Sequence, residues 1–117
     1  MNLNYDFANA WLEKLRTFWK NRDVEGASSL FVRTTYYQET PFVEPFTNFE
    51  EIRKEWGYIE NQEIQKIEFK ILAIEKNTMI VEWLFERDVK VFDGIYEIKF
   101  DDNLQCVWFR SWEMEKK

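Results

Sequence analysis

Residues 64–87 read IQKIEFKILAIEKNTMIVEWLFER. Apolar side chains recur at every second position, at Ile67, Phe69, Ile71 and Ala73, and again at Val81, Trp83 and Phe85. Period two is the spacing of a strand with one buried face, and Lys76–Thr78 interrupts it as a turn would. A three-residue loop there sets Ala73 opposite Val81, Ile71 opposite Trp83, Phe69 opposite Phe85 and Ile67 opposite Arg87. That set is apolar except for Arg87. The same period predicts strands at about 64–75, 79–89, 92–101 and 104–114. A two-residue turn at Asp102-Asn103 sets Phe100 opposite Gln105, Ile98 opposite Val107 and Tyr96 opposite Phe109. Around Val89–Gly94 two readings stand, because Asp93-Gly94 is a strong hairpin signal but a turn there would shorten both strands.

Upstream the period is helical. Phe7, Trp11, Leu15, Phe18 and Trp19 form one apolar stripe over about residues 5–20, with Lys20 and Arg22 where cations suit the helix dipole. Asp23 caps a short second helix carrying Val24, Ala27, Leu30 and Phe31. Residues 33–39, RTTYYQE, are strand-like and end at Pro41. Thr47-x-x-Glu50 has the form of a capping box and opens a third helix with Phe49, Ile52, Trp56 and Ile59 on one side. Three helices followed by a long antiparallel meander predict an α+β fold in a single domain over residues 1–117, a curved sheet wrapped over helices.

Composition bounds the function. Aromatic residues make up 19% of the 117 positions, which points to a core or cavity walled by rings. The net charge of −6, with no basic run, argues against nucleic acid and anionic membranes as partners. The chain has no histidine, which removes His-based nucleophile pairs, His metal sites and the usual neutral-pH proton shuttle. Acid–base chemistry would fall to Glu, Asp, Tyr, Lys or Cys106. A single cysteine, no signal-peptide pattern and no apolar run of membrane-spanning length make the cytoplasm the expected location. No metal or cofactor is expected. Asp101-Asp102-Asn103 lacks the calcium-loop pattern and reads as a solvated turn.

The order of RDVEGASSLF, TPFVEPF, NFEEIRKEW, VEW, DGIYEIKFD and FRSWE along the chain resembles the nuclear transport factor 2-like superfamily, particularly its SnoaL-like branch. The resemblance spans essentially the whole chain. It implies a cystatin-like cone, a bent sheet and three helices with an apolar pocket open at one end. Members include ketosteroid isomerases, polyketide cyclases, dehydratases and proteins that only bind or dimerise, so fold leaves function open. In the isomerase branch the general base immediately precedes the proline that corresponds to Pro41, and this chain has Thr40 there. The branch's oxyanion tyrosine falls on Leu15. Both substitutions argue against that particular reaction.

The stretch YYQETPFVEP (36–45) is read first as wall and rim, with Tyr36 or Tyr37 packed in the cone. The functional alternative turns Glu39 or Glu44 into the cavity, where burial would raise its pKa and fit it for acid–base work beside Tyr37. Expected pocket residues are Tyr37, Trp56, Trp83, Arg87, Tyr96 and Phe109. Arg87 cannot shed its proton, so it needs water at the rim, a carboxylate such as Glu39 or Glu44, or a bound acid. Cys106 falls on the outer face and is not expected to be a nucleophile. That face would also carry Leu72, Ile74, Ile80, Leu84, Trp108 and Trp112, a patch that predicts a homodimer. The leading functional expectation is a binding protein for a small apolar or weakly acidic molecule. The alternatives are a cofactor-independent isomerase, cyclase or dehydratase using a pocket Glu and Tyr, and a dimeric module whose cone is filled by its own side chains.

Overall fold

The computed structural model describes residues 2–117. The elements run α1 (Tyr5–Lys20), α2 (Val24–Ser29), β1 (Tyr36–Gln38), α3 (Phe49–Trp56), a 3-10 turn (Gly57–Asn61), β2 (Ile64–Glu75), β3 (Thr78–Arg87), β4 (Lys90–Phe100) and β5 (Cys106–Glu115). One sheet has the order β1-β5-β4-β3-β2, antiparallel except for the short parallel pairing of β1 with β5. The helices lie over its inner face. Among the described residues no helix is long and apolar enough to cross a membrane.

The apolar stripe on α1 is buried as expected, through Trp11, Leu15 and Trp19. Phe31, fully buried just past α2, is where the layers meet. Its ring packs against Trp11 of α1, Trp56 of α3, Tyr37 of β1 and Phe109 of β5, with centroids 5.1–5.8 Å apart. Such contacts add to the area each ring buries.

Strand faces follow the expected alternation, but register does not. In place of a three-residue loop, Glu75 pairs with Thr78 across a two-residue turn, with Lys76 left-handed at φ 54°. A bulge at Leu72 then shifts the ladder, so Ile71 faces Val81, Phe69 faces Trp83 and Ile67 faces Phe85. The offset from the expected pairs is two residues, so those side chains stay on the inner face. Beyond the bulge the face inverts. Ile74 pairs with the fully buried Met79 and packs against the core, not on the outer face as expected.

The β3–β4 turn is Asp88-Val89, both left-handed, the geometry of a primed hairpin turn. Asp93-Gly94 lies instead within β4, opposite Leu84 and Trp83. Between β4 and β5 a bulge pairs Phe100 with Cys106 and Ile98 with Phe109, instead of Gln105 and Val107. Cys106 is thereby turned into the core, not outward, and burial pushes its thiol pKa up to about 12. This agrees with the expectation that it is no nucleophile. In the preceding turn the Asp101 carboxylate accepts backbone N–H bonds from Asn103 and Gln105, each at 2.9 Å.

The start of α3 also differs by one residue. Asn48, not Thr47, is the cap, accepting from the Glu51 backbone N–H at 3.0 Å while Glu51 accepts from the Asn48 amide at 2.9 Å. The second bond comes from the Asn48 side-chain Nδ2, so the pair is an Asn cap tied to Glu51 and not a capping box. It orients α3 so that Ile52 and Trp56 are buried.

Candidate active site

A cavity of about 470 Å³ opens between the helical layer and the inner face of the sheet. On the helix side its wall is Trp19 of α1 and Trp56 of α3, edge to face at 5.1 Å, with Phe85 of β3 against Trp19 at 4.4 Å. On the sheet side the wall is Trp83, Tyr96 and Phe109, with Tyr96 centred 5.2 Å from Trp83 and 4.6 Å from Phe109. Trp83 reaches this position by lying across Gly94. A Cβ on Gly94 would stand 2.8 Å from the indole Cζ2 and collide with the Trp112 carbonyl oxygen. The indole N–H then donates to Ser111 Oγ at 3.2 Å, satisfying a buried donor.

Tyr37, Trp56, Trp83, Arg87, Tyr96 and Phe109, the expected pocket set, all line this cavity. Of the two candidate glutamates it brings in one. Both are exposed, but Glu39 continues the alternation of Tyr37 and lines the cavity, whereas Glu44 takes no part in the lining. Tyr36 turns the other way and stacks on Trp108 at 3.9 Å. Leu15, at the isomerase tyrosine position, is buried in the core.

Glu55 and Glu113 also line the cavity and were not anticipated. Both had a readable signal. Glu55 stands three residues after the buried Ile52, at the border of the α3 stripe. Glu113 continues the inward alternation of Phe109 and Ser111 along β5.

The electrostatics centre on Glu39. The Tyr37 hydroxyl donates to its carboxyl at 3.1 Å. Burial, then hydrogen bonding to Glu55 and the charge of Glu55, raise the Glu39 pKa well above the usual carboxylate value, and the Tyr37 bond only partly offsets this. Glu39 retains accessible surface because it borders the cavity, yet protein closes around it on its other sides, and its raised pKa reflects that enclosure. Tyr37 and Tyr96 are themselves held protonated, chiefly by burial and next by the nearby Glu39 charge. Glu113 is raised by burial, against the pull of Arg87.

Arg87 does not pair with Glu39 or Glu44. Its guanidinium bonds the Asp88 carboxylate at 3.1 Å and lies over the Phe92 ring, 5.0 Å from its centroid. The Glu63 backbone N–H and Arg87 together lower the Asp88 pKa. No group of three or more metal-ligating side chains occurs among the described residues.

No family model matches the chain, and no curated protein matches it. Solved structures do. A steroid Δ-isomerase from Pseudomonas aeruginosa superposes with a TM-score of 0.68 at 18% identity, over 96% of this chain and 82% of that one. SalBIII, an epoxide hydrolase/cyclase-like enzyme of pyran ring formation in the polyether salinomycin, gives 0.79 at 9% identity, over 95% and 93%. A nuclear transport factor 2-like protein of unknown function from Burkholderia xenovorans LB400 gives 0.74 at 11%, over 93% and 84%. The chain has the nuclear transport factor 2-like fold. At these identities the likeness is one of architecture, and the cone, its helices and its open end are what this chain shares with them.

The outer face of the cone is less apolar than expected. Leu72 and Trp112 are exposed and Leu84 half-buried, but Trp108 is covered by Tyr36, and Ile74 lies on the other face. Glu82, Asp93, Glu97 and Arg110 interleave with them, and Arg110 sits over Trp112 at 4.5 Å.

The raised Glu39 pKa carries a sign for stability. Above the ordinary carboxyl pKa of 4.5 the unfolded chain releases this proton while the folded chain still holds it, so stability falls as pH rises toward the folded pKa. Glu39→Gln removes that linkage. Melting curves of the two proteins are therefore expected to diverge in favour of the glutamine variant as pH rises above 4.5. A constant difference from pH 4 to 8 would contradict the placement of Glu39.

Proposed function

We propose that the protein binds a small, largely apolar molecule in this cavity and moves a proton to or from it through Glu39, as a cofactor-independent enzyme of the SnoaL-like branch. The observation that carries the reading is the Tyr37–Glu39–Glu55 cluster inside an aromatic cavity. Carboxyls crowded into an enclosed site oppose one another's ionisation, which keeps one of them available as a proton donor. Glu39, its pKa raised by burial and by the neighbouring Glu55, is that group. Tyr37 orients Glu39 and stabilises its anion when the proton leaves. A carboxyl whose pKa is raised by burial contributes about 10²–10⁴-fold as a general acid or base. Thr40 sits where the isomerase base would be, and Glu39, one residue earlier, takes the inward position instead.

Binding without chemistry is the second reading. A computationally designed 17-OHP binder superposes with a TM-score of 0.74 at 9% identity, over 94% of this chain and 96% of that one, and the rings alone suffice for a binding role here. The titrating carboxyl favours the enzyme. A cone filled by its own side chains is disfavoured by the 470 Å³ cavity, which exceeds the roughly 300 Å³ lower bound of ligand sites.

A substrate-independent probe separates the two. 5-Nitrobenzisoxazole opens when a base removes the C3 proton of its isoxazole ring, the C–H electrons forming the nitrile as the N–O bond breaks to release 2-cyano-4-nitrophenolate. Its turnover is expected to rise with pH as Glu39 ionises and to fall about a hundredfold in Glu39→Gln. Equal rates in the two proteins would leave binding as the function.

The same proposal retains a homodimer through the outer sheet face, supported by the exposed Leu72 and Trp112. Sedimentation at micromolar protein is expected to show a dimer that Trp112→Glu dissociates. A wild-type monomer would remove this part of the proposal.

A further inference from the structure

We propose that the molecule taken by this cavity carries a basic nitrogen, seated as an ammonium ion between the aromatic walls and the carboxyl groups of Glu39, Glu55 and Glu113. The inference rests on the reading of the cavity as a ligand site and adds the charge of the guest.

The first ground is an imbalance of charge. Four carboxyl groups line the cavity, those of Glu39, Glu55, Asp88 and Glu113, against one guanidinium. Arg87 is already committed to Asp88 and to the face of Phe92. Among the described residues, no ion pair within 4.0 Å involves Glu39, Glu55 or Glu113. These three come from different parts of the fold, the end of β1, α3 and β5, so their convergence is not a local run of acidic sequence. A cation between them would supply the missing counter-charge.

The second ground is the nature of the walls. Rings present a negative face, and ammonium groups bind over such faces, most strongly over Trp and Tyr and most of all when water is excluded. Trp19 and Trp56 stand on one side of the cavity, with Trp83 and Tyr96 on the other. An acidic guest would meet the carboxyls with Arg87 as the one cation on the lining, and Arg87 is already held by Asp88. A neutral apolar guest would fit the rings but leave the carboxyls clustered and uncompensated.

The arrangement links binding to protons. Glu39 is faced by Tyr37 on its own strand, Glu55 from α3, Tyr96 from β4 and Glu113 from β5. Arg87 and Asp88 complete the charged lining from β3 and the turn after it. An ammonium ion in this ring favours the ionised carboxyls, so its arrival expels the proton held on Glu39 and its affinity rises with pH. A neutral guest has no such dependence.

Trp19, Trp56 and Trp83 report occupancy through their fluorescence. The probes are benzyltrimethylammonium and neopentylbenzene, which share a shape and differ by the charge. The cation is expected to bind at least about tenfold tighter at pH 7, with the preference growing up to pH 8. The double substitution Glu55→Gln with Glu113→Gln is expected to abolish the preference while leaving neopentylbenzene binding in place. Equal affinities, or tighter binding of neopentylbenzene, would overturn the ammonium inference and leave the apolar cavity standing. Binding of neither probe would overturn the inference together with the ligand-site reading beneath it.

Discussion

The hydrogen bond from Tyr37 to Glu39 is made at a cavity where rings and carboxyls meet, and the geometry around it follows from that setting. A carboxylate drawn out of water pays for its charge unless something holds it. Here one phenol does so, while a second carboxyl, Glu55, works in the opposite direction. The outcome is a group that keeps its proton well above the ordinary range and can release it to a guest. Glu113 and the neighbouring Arg87–Asp88 pair extend this environment along the lining.

That environment depends on aromatic packing elsewhere. Phe31 ties α1, α3, β1 and β5 into one layer, so Tyr37 cannot shift without disturbing Trp11, Trp56 and Phe109. Gly94 allows Trp83 to cross β4 and reach Ser111, which forms the sheet-side wall. Glycine is needed here for close approach, not for a turn, and this explains why Asp93-Gly94 looks like a hairpin signal yet lies in mid-strand. The turn instead falls at Asp88-Val89, where it places Asp88 beside Arg87 at the cavity.

The cone was legible in the chain because period and alternation are properties of side-chain direction, which sequence records. An inner face built on Ile67, Val81, Trp83, Phe85, Tyr96 and Phe109 survives an error of two in register, since parity is unchanged. The bulges at Leu72 and between Lys99 and Phe100 break parity, and nothing in local composition marks them. They account for the misplacing of Ile74 and Cys106. The pocket rings were legible for the same reason as the core, since in this fold one lining serves both. The acids were harder. Glu39 and Glu44 are equivalent by composition, and only the geometry after β1 separates them. Glu55 and Glu113 required apolar stripes to be followed through a charged position, against the general rule that glutamates face water.

The central claim is that one carboxyl in the cavity stays protonated where every ordinary glutamate is ionised. Side-chain carboxyl NMR on protein labelled with ¹³C-glutamate reads this residue by residue as pH is raised. The resonance that Glu39→Gln removes is expected to keep its protonated position well above the ordinary 4.5. If every glutamate, Glu39 included, titrates near 4.5, the cavity is no proton-transfer site and the account fails.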